Sequence, residues 1–290
     1  MALKKDLTTD FTGLDGELDM RDKRGMEFVA HAKTARVDQL AQLFAPELSP
    51  AIDDEPRRRL KKNEPKPPPK LKGGMHGWPQ GRHQRVAATL PIVQDWVDLG
   101  MAWKLRPWRD HPMWIQLSPA GERWLGLSYT PIPFPAGELE HIYVINEIRL
   151  FLLRSTQIPT HAWISERELQ QNEPQKVAEM ELPHRPDGVM ILEEGGEIKV
   201  RGEEINLAGG ERIAIEAERS RKNYKELAKD LPSLMRHYDR AWYFATPSAY
   251  DTVSEARERY LVNPADRARL QIFRLSDNWW DWKKEPEETP

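Results

Sequence analysis

The sequence predicts an α/β protein in two units, and three observations carry that expectation. Between residues 21 and 125, apolar positions recur at three- to four-residue spacing in three stretches and then give way to two short strand-like runs. Between residues 139 and 276, apolar runs short enough for strands alternate with stretches long enough for helices. A proline-rich segment, SYTPIPFPAGE at 128–138, separates the two and reads as a linker. The expected boundaries are a flexible N-terminus at 1–17, a first domain at 18–127, the linker at 128–138, a second domain at 139–276 and a tail at 277–290.

A chain of 290 residues is long enough for two domains of ordinary size. Its 39% hydrophobic and 31% charged residues are a soluble globular balance. No apolar run approaches the ~20 residues that span a bilayer. The opening MALKKDLTTDF lacks the apolar stretch of a secretory signal, so a cytoplasmic protein with no membrane partner is expected. The absence of cysteine excludes disulfides, thiolate nucleophiles and zinc sites built on Cys. Carboxylate-held Mg²⁺ or Mn²⁺ stays open, because hard cations take oxygen ligands. With a net charge of −3, nucleic-acid contact must come from local basic patches. The acidic surplus is either a solvated surface or carboxylates gathered around a metal.

The first helix is expected over 21–31, with Met26, Phe28, Val29 and Ala30 on its apolar side and Lys33–Thr34 breaking it. A second runs from Arg36 to Phe44, where Val37, Leu40, Ala41 and Phe44 share a face and Pro46 ends it. Residues 47–81, including EPRRRLKKNEPKPPPKLKGG, have almost nothing to bury and read as an extended insertion. That insertion is either a basic arm on phosphates or a solvated linker. A third helix is expected over 82–99 with the stripe Val86, Leu90, Val93, Trp96 and Val97; Gly100 stops it, and Pro91 marks a kink or a later start. The runs MAWKLR and MWIQL form two strands around PWRDHP, and a short helix follows from the Ser118 cap. Three helices and a hairpin are the order of a winged helix-turn-helix. Such a unit places a helix in the major groove and the hairpin on flanking phosphates. On that reading Arg82, His83, Gln84 and Arg85 face bases, and Lys104, Arg106 and Arg109 face the backbone. The same unit also serves in protein–protein contact.

In the second half, HIYVINEIRLFLLR is a helix with a wide buried face around Ile142, Ile145, Ile148 and Leu152. THAWISERE is read as the first strand, HRPDGVMIL as a turn leading into the second, and RIAIEAE as the third, with a polar hairpin-like excursion at 193–210 between the last two. A helix over 223–238, the strand RAWYFAT, a helix over 250–260 and the strand RLQIFRL complete the order. The order α, β, β, β, α, β, α, β fits the αβββαβ core of restriction-endonuclease-like, PD-(D/E)XK, proteins. Asp187 follows a proline at the start of one strand, and Glu216 lies on the next. Period-two alternation puts Glu216 and Glu218 on one face and Ile213 and Ile215 on the other. Convergent carboxylates of this kind suit a metal-dependent phosphodiesterase, in which the ion polarises the phosphoryl oxygen and acidifies a bound water. Asp187, Glu216 and Glu218 are the expected metal ligands, with Glu147 on the preceding helix and Glu166 on the first strand as further ligands or bases. The superfamily pattern has Lys where this chain has Glu218; Lys222, four residues on, can reach back. A network of ion pairs at strand ends, drawing on Arg185, Arg219 and Lys222, is the alternative use of these carboxylates.

Taken in order, TARVDQLAQLF, WVDLGMAWKLRPW with IQLSPAG, EHIYVINEIRL, WISEREL, HRPDGVMIL, RIAIEAERSRKNYKEL and AWYFATPSA resemble the replication-relaxation family. The resemblance covers residues 20–260; the insertion at 47–81 departs from it. It implies a DNA-binding protein acting on plasmid or mobile-element DNA, with replication or mobilisation proteins as partners and a homodimer as a compatible state. Its nuclease-like domain is either a Mg²⁺- or Mn²⁺-dependent nuclease or an inactive scaffold for dimerisation or DNA holding. The 11 tryptophans also raise a protein-binding adaptor as a third reading.

Overall fold

The computed structural model describes residues 18–45, 80–109, 111–130, 132–155, 162–172, 184–200, 203–220 and 222–275. The N-terminus at 1–17, nearly all of the insertion at 47–81 and the tail at 277–290 lie outside these residues. The described chain is mixed α/β, with nine helices and ten strands in three sheets.

α1 (Met20–His31) opens on Asp19, whose carboxylate accepts from the backbone of Arg21 and Asp22, while Asp22 reaches back to the Asp19 amide. It ends at Ala32, and Lys33 turns the chain with φ of 68°. A two-residue strand, β1 (Ala35–Arg36), leads into α2 (Val37–Leu43). α3 (Gln80–Asp98) runs through Pro91 without stopping, so Pro91 does not mark a later start. Pro91 lies on the exposed side, where the Ala87 carbonyl it frees can bond water. Leu90, expected in the buried stripe, is 39% exposed, while Val86, Val93 and Trp96 are buried. Gly100, with φ of +72°, closes the helix. β2 (Ala102–Leu105) and β3 (Trp114–Leu117) pair antiparallel, and β1 adds to the other edge of β3, giving the order β1-β3-β2. α4 (Pro119–Trp124) is capped by the Ser118 hydroxyl. These elements share one core, in which Met26, Leu40, Phe44, Val93, Trp96 and Ile115 are fully or nearly fully buried. Gly25 is required there, since a Cβ would stand 2.5 Å from Phe44 Cζ and 2.7 Å from Trp96.

α5 (Leu139–Ser155) carries the chain into a five-stranded sheet of order β10-β9-β8-β5-β4. β4 (Trp163–Ser165) is shorter than expected, because Glu166–Asn172 is a helix, α6. β4, β5 (Gly188–Ile191) and β8 (Arg212–Glu218) form an antiparallel meander. The excursion between β5 and β8 is a two-stranded hairpin, β6 (Gly196–Val200) and β7 (Glu203–Leu207). β9 (Arg240–Ala245) then lies parallel to β8, and β10 (Leu270–Arg274) parallel to β9. α7 (Tyr224–His237) and α8 (Pro247–Tyr260) make these crossovers, with a further short helix, α9 (Pro264–Arg269), before β10.

Alternation along β8 sorts the two faces. Ile213, Ile215 and Ala217 pack with α5 and the β6–β7 hairpin, whereas Ala214 packs with Leu227, Leu231 and Leu234 of α7 and Val253 of α8. Helices therefore cover both faces of the sheet, which explains the continuous apolar run AWYFA in β9.

The proline-rich 128–138 segment is packed against its neighbours: Tyr129 is buried, Gln116 donates to the Ile132 carbonyl, and Phe134 lies against Trp114, Leu139 and Tyr143. Polar contacts join the two halves. Gln39 and Gln42 of α2 donate to Glu147 on α5, Asn146 donates to the Thr34 carbonyl, and Arg167 of α6 pairs with Glu122 at 2.6 Å. A buried bidentate pair, Arg36–Asp38 at 2.6 and 2.7 Å, has its guanidinium 3.9 Å from the Tyr143 ring centroid.

Candidate functional site

The carboxylates expected to act together do gather at one end of the central strands, with partners that the sequence did not disclose. Asp187 precedes β5, and Glu216 lies on the neighbouring β8. One Asp187 oxygen accepts from the Ala217 amide at 2.8 Å, which fixes the carboxylate against β8. The other meets His141 Nε2 at 2.8 Å, from the start of α5. Glu216 projects toward the α7 side, where its Oε1 meets His184 Nε2 at 2.8 Å. His184 Nδ1 lies 3.3 Å from Asp230 of α7. Lys222 does reach back, to Glu218 at 3.5 Å and to Asp230 at 3.2 Å.

Burial sets the electrostatics. It raises the Glu216 pKa to about 7, the Asp187 charge adds to the rise, and the His184 hydrogen bond opposes it. Burial likewise raises Glu218, against the pull of Lys222. For His184 burial acts downward, but the hydrogen bond and charge of Glu216, with Asp230 behind it, prevail and raise the imidazole above its ordinary value. Asp187 has the same effect on His141, again overcoming burial. Lys222 is desolvated, yet the charges of Glu216, Glu218 and Asp230 lift its pKa. Tyr243 of β9 stands in register with Glu216. Its hydroxyl is buried without a hydrogen-bond partner among the described residues, and burial together with these carboxylates holds its pKa well above normal.

Two of the expected residues lie elsewhere. Glu147 is held by Gln39 and Gln42 in the contact between halves. Glu166 is the first residue of α6 rather than a strand residue, and it pairs with Lys33 at 3.1 Å. Sequence reasoning missed His141, His184, Asp230 and Tyr243. A signal existed for two of them. His184 stands three residues before Asp187, and Asp230 interrupts the apolar face Leu227, Leu231, Leu234.

The donor set is rich in hard oxygens, as Mg²⁺ or Mn²⁺ requires. As arranged it does not fit an ion. Asp187, Glu216, Glu218 and Asp230 are each engaged by His141, His184 or Lys222, and among the described residues no group of three His, Asp or Glu side chains converges as metal ligands. What the arrangement can do is hold protons. Two histidines and a lysine neutralise a carboxylate cluster in which one member, Glu216, titrates near neutrality.

A second surface belongs to α3 and the β2–β3 hairpin. Gln84 is exposed and Arg85 half-exposed on the first turns of α3, while the side chains of Arg82 and His83 lie outside the described residues. Lys104, Arg106 and Arg109 are all exposed. Lys104 donates to Gln94, a neutral side chain, and neither Arg85, Arg106 nor Arg109 makes an ion pair with a described residue. Trp103 and Trp108, at 48% and 39% exposure, stand beside them.

Fold and cluster together define an α/β chain with a partly buried carboxylate–histidine–lysine site at its strand ends and, on its N-terminal half, exposed cations that make no ion pair with a described residue. Comparison with family models, with curated proteins and with solved structures gave no match. No helix among the described residues is long and apolar enough to cross a membrane.

Proposed function

We propose that this chain is a DNA-binding protein of the replication-relaxation type: a winged helix-turn-helix unit joined to a restriction-endonuclease-like core, acting on plasmid or mobile-element DNA. The observation that carries the reading is the set of exposed cations, Arg85, Lys104, Arg106 and Arg109, left without ion pairs on one helix and the adjoining hairpin. Cations without ion pairs to described residues can replace counterions along a phosphate backbone. The antiparallel meander β4-β5-β8 followed by a parallel β9 supports the restriction-endonuclease-like part of the reading. In this reading the second half holds DNA or a second copy of the chain. Its carboxylates are neutralised by His141, His184 and Lys222, so they do not repel the polyanion as an open cluster would.

A second reading, Mg²⁺- or Mn²⁺-dependent strand cleavage, is favoured by one observation: Asp187, just before β5, and Glu216, on the adjacent β8, stand closely enough for one charge to raise the other's pKa. One experiment separates the two. Supercoiled plasmid is incubated with the purified protein in EDTA, Mg²⁺ or Mn²⁺, beside Asp187→Ala and Glu216→Ala, and mobility shift and nicking are both read. The first reading expects a salt-sensitive shift in all three proteins with no nicking. Metal-dependent nicking lost in both variants establishes the second, and a protein that neither shifts nor nicks the plasmid overturns both.

A further inference from the structure

Among the described residues the two exposed tryptophans, Trp103 and Trp108, belong to one hairpin. A third tryptophan there, Trp114 of β3, is buried with Leu139, Ile142 and Tyr143 and anchors the hairpin to the second half of the chain. Register explains the split. Leu105 pairs with Trp114 and Trp103 with Gln116, so these four side chains share one face. Leu105 and Trp114 pack with Phe134 and Leu139, whereas Trp103, one pair further along, stays exposed. Lys104 points to the opposite face and donates to Gln94 of α3. Trp108 stands in the turn. Pro107 before it has a fixed φ, the His111 amide donates to the Trp108 carbonyl at 3.3 Å, and the two rings lie 5.1 Å apart. The indole is thus braced by a neighbour and still exposed.

The run WKLRPWR over residues 103–109 therefore interleaves exposed indoles with the exposed cations Lys104, Arg106 and Arg109. Cations suit phosphates. A flat, open indole suits another π-face, and in a duplex the bases close their faces on one another and offer the grooves only their edges. Unpaired bases offer their faces, and aromatic rings set in a basic surface are the composition of single-strand sites. A protein partner fits this composition less well, because Lys is depleted from protein–protein interfaces. The spacing suits a short strand. Five residues separate Trp103 from Trp108, at most ~18 Å of chain. That distance covers about five nucleotides at a rise of ~3.4 Å per phosphate.

We infer that the β2–β3 hairpin binds an unpaired stretch of DNA, with bases stacked on Trp103 and Trp108 and phosphates held by Lys104, Arg106 and Arg109. The inference rests on the DNA reading and deepens it: the target carries an unpaired segment and is not a fully paired duplex.

The test is fluorescence anisotropy of two labelled duplexes at one salt concentration, one intact and one with a central bubble of about five mismatched thymidines. The wild-type full chain should bind the bubble duplex roughly five- to a hundredfold more tightly, the range of one stacked base. Trp103→Leu combined with Trp108→Leu keeps apolar surface but no ring, and should lose that gain while binding the intact duplex as the wild type does. Trp103→Phe combined with Trp108→Phe keeps the rings and should retain most of the gain. An abasic bubble, which has the phosphates and the flexibility without the bases, should give the wild type no gain; this arm needs no variant and decides the matter even if the leucine variant fails to fold. Equal wild-type affinity for bubble and intact duplex, an undiminished gain in the leucine variant, or an equal gain from the abasic bubble would each overturn the inference and leave the DNA reading standing. Tighter binding of a free oligouridylate than of the bubble duplex would assign the surface to RNA and overturn it too. Binding to neither duplex would overturn the inference and the DNA reading together.

Discussion

Replacing Glu216 by Gln tests the electrostatics of the buried cluster most cleanly. A rise in its pKa from 4.5 to about 7 means that the ionised carboxylate is disfavoured in the fold by ~3 kcal/mol. The folded state thus binds this proton more tightly than the unfolded state. The sign follows. Glu216 adds nothing against folding below pH 4.5, removes stability as pH climbs from 4.5 to about 7, and has removed all of it above 7. Its neighbours His184 and His141, also raised, contribute stability that is full below 6.5 and is lost only above it. The interval from pH 5 to 6.5 therefore excludes the histidines and reports the raised carboxylates, Glu216 together with Glu218 and Asp22, and the difference from Glu216→Gln isolates Glu216. Urea unfolding at intervals across that range should show wild-type stability declining with pH. Glu216→Gln, which imitates the protonated form, should flatten the decline and exceed the wild type by about 2–3 kcal/mol at pH 8. Equal slopes in the two proteins would refute the argument, because they would mean that Glu216 ionises without penalty.

Three further outcomes are expected. Asp38→Ala leaves the Arg36 guanidinium buried and unpaired, so urea unfolding should show a loss of about 3–5 kcal/mol, far more than a surface pair would give. Gly188→Ala places a methyl 2.3 Å from Trp163 Cζ2, in contact with a packed ring; a loss of about 1–3 kcal/mol is expected, with altered near-ultraviolet dichroism from the displaced tryptophan. Lys222→Met removes the cation between Glu218 and Asp230, so unfolding temperatures should fall more at pH 8 than at pH 5, where the carboxylates can take up protons instead.

The α/β character and most elements were legible because local periodicity and tertiary burial agree in them. RIAIEAE is the clearest case: alternation sends Ile213 and Ile215 to one face and Glu216 to the other, as the cores around it show. The expected strand THAWISERE runs three residues too far, over Glu166–Glu168, because the helix ERELQQN has a single apolar residue, Leu169, and so shows no period; its first residue is held by Lys33. β1 is two residues long, too short for any pattern. Leu90 matches the helical spacing but falls on the rim, where the described elements leave it 39% exposed. At the site, Asp187 and Glu216 could be named from spacing along strands. His141 and Tyr243 could not, since each is brought in from another element by closure of the sheet and its helices. The contact between halves was also hidden. Gln39, Gln42, Arg36 and Arg167 look like surface residues in sequence, and their partial or full burial depends on partners more than 40 positions away or on the ring of Tyr143.

The central claim is that the exposed cations of α3 and the β2–β3 hairpin meet DNA phosphates. Fluorescence anisotropy of a labelled duplex between 50 and 200 mM salt tests it directly. The wild type should bind with log K falling against log salt at a slope of about −3 to −4, and Arg85→Ala, Lys104→Ala, Arg106→Ala and Arg109→Ala combined should bring that slope close to zero. Binding with the wild-type slope in the fourfold variant, or no binding by the wild type at 50 mM salt, would contradict it.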